Sequence, residues 1–68
     1  MKATYLKLTW VAGSYTITKG NMFGIVSRTT GRGTLERAQA TAARNAQLNN
    51  FGGYLLKVGS GDWQRVIA

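Results

Sequence analysis

The chain has 68 residues, with nine Lys or Arg against two Asp or Glu, and a formal net charge of +7. It contains no Cys, no His and no Pro. These counts exclude a disulfide framework, thiolate or imidazole metal sites, and any catalytic triad or dyad built on Cys or His. Two carboxylates also make a poor cage for a hard cation, so no metal and no cofactor is expected.

A hydrophobic fraction of 44% with 16% charged residues is the composition of a folded domain, and residues 1–68 read as one small basic domain. A core of this size supplies about 3–5 kcal/mol at most without staples, which makes homo-oligomerisation one of the ways it could be stabilised.

Residues 4–11 alternate with period 2. Leu6, Leu8 and Trp10 fall on one side, and Tyr5, Lys7, Thr9 and Val11 on the other, which predicts a strand. Lys7 and the polar residues within this segment argue against a signal peptide, so a cytoplasmic setting is expected, that of the host if the chain is phage-encoded. No apolar run approaches the roughly 18 residues that would span a bilayer.

Ala12-Gly13-Ser14 is a turn signal, and residues 14–19 alternate again, giving a hairpin. After Gly20-Asn21, residues 22–30 form a third run. Ile25 and Val26 make it apolar on both faces, which suggests a central strand with Phe23 and Ile25 buried, and Gly24 suggests a bulge or close backbone approach.

Thr34 is an expected N-cap and Glu36 a favourable first-turn charge for a helix from Leu35 to Leu48, which contains five alanines and no glycine. Leu35, Ala38, Ala42 and Ala46 share one stripe of that helix, with Arg37, Thr41 and Arg44 opposite. Asn49-Asn50 and Gly52-Gly53 end it. Residues 54–58 and 63–67 are two further strands around the turn Gly59-Ser60-Gly61-Asp62.

The expected fold is therefore α+β: a small antiparallel sheet in ββ(β)αββ order with one alanine-rich helix packed on one face. This element order and size resemble the three-strands-plus-helix arm-site DNA-binding domains of phage integrases, and also small basic phage accessory proteins that act on host machinery. No motif accompanies the resemblance, so it assigns no residues.

No nucleophile, base and orienting group can be assembled from this composition, and the chain reads as a non-enzymatic binding module with no catalytic residues. The segment Arg28–Thr34 places Gly31, Arg32, Gly33 and Thr34 before a helix N-terminus, where an anion could meet backbone N–H groups and two guanidiniums. Arg37 and Arg44 are seven residues apart on one helix face. Lys7 and Lys57 sit in the less apolar phases of their strands, with Tyr5 in phase with Lys7 as a possible stacking platform.

The excess of cations favours a polyanion, DNA or RNA, bound through these residues. The alternative is a phage-type protein that inhibits or modulates a host protein by docking on an acidic surface, since electrostatic steering serves that role equally.

Overall fold

The computed structural model describes residues 3–67. Five strands and one helix follow in the order β1 (Tyr5–Val11), β2 (Ser14–Asn21), β3 (Gly24–Arg32), α1 (Leu35–Leu48), β4 (Gly53–Val58) and β5 (Gln64–Ile67). The strands form one sheet in the order β3-β2-β1-β4-β5, and the helix packs across one of its faces. The class is α+β, as the alternation predicts.

One junction of the sheet departs from the antiparallel expectation. The helix carries the chain back across the sheet, so β4 enters beside β1 in the same direction, with Lys7 opposite Leu55 and Thr9 opposite Lys57. The other three pairings are antiparallel. The sheet is therefore mixed, and β1 is its central strand.

The core lies between sheet and helix. Leu6 and Leu8 of β1, Ile17 of β2, and Tyr54 and Leu56 of β4 meet Ala38, Ala42 and Ala46 of α1. The three alanines are completely buried. With only a methyl group at each contact, the helix backbone lies close against the aliphatic layer, and each buried leucine or isoleucine contributes about 1.5–3 kcal/mol. Leu35 packs at the edge of this cluster, while Leu48 points away from it and is exposed.

Both helix ends are closed as their residues suggest. Thr34 Oγ1 accepts the Arg37 N–H at 3.2 Å. At the other end Asn50 takes a positive φ of 59°, its N–H donates to the Gln47 carbonyl, and the Phe51 N–H reaches back to the Ala46 carbonyl. This is the double backbone closure of a left-handed helix terminus, and asparagine is the non-glycine residue that best tolerates it. Trp10 Nε1 donates to the Gly33 carbonyl at 3.0 Å, and the Gly33 N–H donates to the Gly13 carbonyl, so the entry to α1 is tied to the first hairpin.

Two expectations for residues 22–30 are corrected. β3 is an edge strand, and Phe23, Ile25 and Val26 are exposed, Phe23 at 77%. Two features account for this. Met22 and Phe23 form the turn between β2 and β3, whose Asn21 Oδ1 accepts the Phe23 N–H at 2.8 Å. Next, the register slips: Gly20 faces Ile25 while Lys19 faces Ser27, which leaves Val26 as the extra residue of a bulge. The bulge reverses the phase of β3, so Ile25 turns to the sheet face that the helix does not cover.

Among the described residues, no helix is long and apolar enough to cross a membrane.

Candidate nucleic-acid interface

The face of the sheet opposite α1 is built by the second phase of every strand. In β1 this phase holds Tyr5, Lys7 and Thr9, and the paired positions in β2 are Gly20, Thr18 and Thr16. In β3 the phase brings Arg28 opposite Thr18, Thr30 opposite Thr16 and Arg32 opposite Ser14. In β4 it holds Leu55 and Lys57, and in β5 Arg65 faces Leu55. Five cationic residues, Lys7, Arg28, Arg32, Lys57 and Arg65, thus share one face of one sheet. No strand contains an Asp or Glu.

The aromatic groups on this face are in contact with the lysines. The Lys7 ammonium lies 5.1 Å from the centre of the Tyr5 ring and 5.4 Å from that of Trp63. The Lys57 ammonium lies 5.7 Å from Trp63. At these distances the cation is attracted to the ring quadrupole by about 0.5–1 kcal/mol at an exposed site. Tyr5 leans across the strand pair over Gly20, where a Cβ would come within 2.6 Å of the Tyr5 Cζ. A Cβ at Gly20 would also come within 2.7 Å of the Gly24 carbonyl oxygen, so a larger residue there would displace backbone as well as the ring.

Between the aromatic side and β3 the surface dips. Thr9, Thr16, Thr18 and Thr30 form a floor of short polar side chains, with Tyr5, Lys7 and Trp63 on one bank and Ile25 and Arg28 on the other. The trough has a volume of about 530 Å³ and is open to solvent.

The residues singled out in the sequence divide into three groups. Tyr5, Lys7, Arg28, Arg32 and Lys57 come together on the open face. Gly31, Gly33 and Thr34 have structural employment: Gly31 lies beneath the Tyr15 ring on the helix side, Gly33 accepts the Trp10 bond, and Thr34 caps the helix. Arg37 and Arg44 are exposed on α1, across the sheet from the lysines.

The stretch from Arg28 to Arg32 belongs to β3, and only Gly33 and Thr34 separate it from the helix. Arg28 and Arg32 therefore do not bracket the helix N-terminus as a loop would have them do. Trp63, Arg65 and the four threonines join the site without having been picked out. For Arg65 and the four threonines the signal was the strand alternation itself, since each occupies the same phase as Lys7, Lys57 or Arg28, whereas Trp63 lies just before β5 and reaches the face through its contacts with Lys7 and Lys57.

Among the described residues no group of three His, Cys, Asp or Glu could hold a metal ion. The chain matches no protein-family model, no curated protein and no solved structure.

Proposed function

We propose that this chain is a non-enzymatic nucleic-acid-binding module whose ligand lies on the open face of the sheet. The observation that carries the proposal is the composition of that face: five cations and two aromatic rings share it, and its strands contain no carboxylate. Lysine and arginine side chains at this density repel one another, and a polyanion relieves that repulsion while releasing its own counterions. Tyrosine and tryptophan on the same face add surface that suits bases.

The test is the salt dependence of binding. With about four or five phosphates contacted, log K falls with a slope near −3 to −4.5 in log salt, depending on whether the strand is single or double. A flat dependence, or no binding at about 50 mM salt, refutes the proposal.

A second reading has one observation in its favour. Met22, Phe23, Ile25 and Val26 form an exposed apolar cluster at the β2–β3 end of the charged face. An apolar patch beside cations also suits an acidic protein surface. A pull-down from lysate with and without nuclease separates the two readings: a partner retained after nuclease treatment, at stoichiometric yield, supports the protein.

A further inference from the structure

Resting on the reading that nucleic acid is the ligand, we infer that the face takes a single strand, with bases stacked on Trp63 and Tyr5, and not a duplex groove. Three observations lead there. The first is width. Five strands set four spacings of about 4.8 Å, so the face is roughly 19 Å across, whereas the major groove of B-DNA is about 12 Å wide. A five-stranded face cannot enter the groove to read base edges, and the minor groove is narrower still.

The second is shape. The threonine floor makes the centre of the face a trough rather than a ridge. A concave surface accommodates a chain laid along it, while a duplex resting on its banks would leave the floor empty.

The third is the state of the rings. Trp63 is 42% exposed on a face that none of the described elements covers. Contacts to phosphates alone would require only the cations. In the free protein the Lys7 and Lys57 ammoniums rest within 5.1–5.7 Å of the ring centres. Lysine stems are flexible, so an arriving strand can draw the ammoniums onto its phosphates while its bases occupy the ring faces they leave. The exchange replaces cation–ring attraction with a charge-assisted contact and a stack, which together outweigh it. Since every base has a stacking face, the expected preference for sequence is weak.

The experiment uses the full chain, a fluorescein-labelled oligo-dT of about 12 nucleotides, within the usual site size, and a duplex of the same length. Anisotropy titrations are run from about 50 to 200 mM salt. The single strand binds more tightly than the duplex at every salt concentration, and its binding quenches tryptophan fluorescence. Trp63→Ala weakens the single strand by roughly 5- to 160-fold, the range expected for one lost stack, with the salt slope unchanged. Trp63→Phe restores most of that loss, which excludes a folding defect as its cause, and circular dichroism of each variant checks the same point. Lys7→Ala instead lowers the slope by about 0.7.

If the duplex binds as tightly as the single strand, or if Trp63→Ala binds like the parent, the stacking inference is overturned and the nucleic-acid reading survives. If neither oligonucleotide binds at the lowest salt, that reading fails as well.

Discussion

The β1–β2 hairpin turns on two residues, and one of them is poorly suited to its place. Val11 pairs with Ser14, leaving Ala12 at φ 49° and Gly13 at φ 84°. Two consecutive positive φ values define a type I′ turn, whose preferred residues are Asn-Gly. An alanine held in the left-handed region brings its Cβ against the following carbonyl oxygen, at about 1–2 kcal/mol. Asparagine tolerates the region better, because its short amide hydrogen-bonds locally.

Ala12→Asn is therefore expected to stabilise the domain by about 1 kcal/mol, which for a chain of this size raises the melting temperature by about 4–8 °C. Ala12→Gly removes the same strain but frees the unfolded chain by about 0.4–1 kcal/mol, so its gain is smaller. Gly13→Ala adds a second left-handed alanine and loses about 1–2 kcal/mol. Packing does not confuse the result, since Ala12 is exposed and a Cβ at Gly13 meets nothing within 4 Å. Thermal unfolding followed by circular dichroism, with urea midpoints at an unchanged m-value, measures the three variants. A melting order other than Asn above Gly above parent above Gly13→Ala refutes the turn assignment.

Two further outcomes follow from the placement of the helix and of the cations. Ala42 is wholly buried beneath α1, so Ala42→Glu should abolish the cooperative unfolding transition, because overpacking by about 1–3 kcal/mol and an unpaired buried charge together exceed the stability of so small a core. Arg44→Ala, on the exposed side of the same helix, should stay within about 0.5 kcal/mol of the parent by the same denaturant measurement. In binding titrations, Arg28→Ala should reduce the salt slope for nucleic acid by about one phosphate, whereas Arg37→Ala on the far side of the sheet should leave it as it is. Equal effects from the two arginines would place the ligand elsewhere.

Much of this architecture is local and therefore legible in the sequence. The helix between Leu35 and Leu48 follows from its alanines, its threonine cap and its asparagine terminus, all of which act within a turn or two. The alternation of residues 4–11 correctly separates Leu6 and Leu8 from Tyr5 and Lys7, because period 2 is a property of the strand and not of its neighbours.

The misread segment is one whose fate depends on partners. Ile25 and Val26 look like the middle of a buried strand, yet nothing within residues 22–30 reveals that the third strand lies at the edge or that a bulge shifts its phase. Likewise, the parallel contact of Lys7 with Leu55 is decided by where the helix returns the chain. The site suffered the same limit: Lys7, Lys57 and Arg28 were each visible, but their convergence with Trp63 and Arg65 needs the strand order.

The parallel pairing of β1 with β4 also bears on how this face comes into being. The β1–β2–β3 meander joins residues close in sequence and can form quickly, whereas Lys7 and Leu55 must close a chain segment that includes a whole helix. The meander alone carries Tyr5, Lys7 and Arg28, and the C-terminal hairpin alone carries Lys57, Trp63 and Arg65. Neither half presents the rings and cations as one surface. The open face is thus completed by the least local contact of the fold, and a chain folded only as far as its helix carries Tyr5, Lys7 and Arg28 without Lys57 and Trp63 beside them.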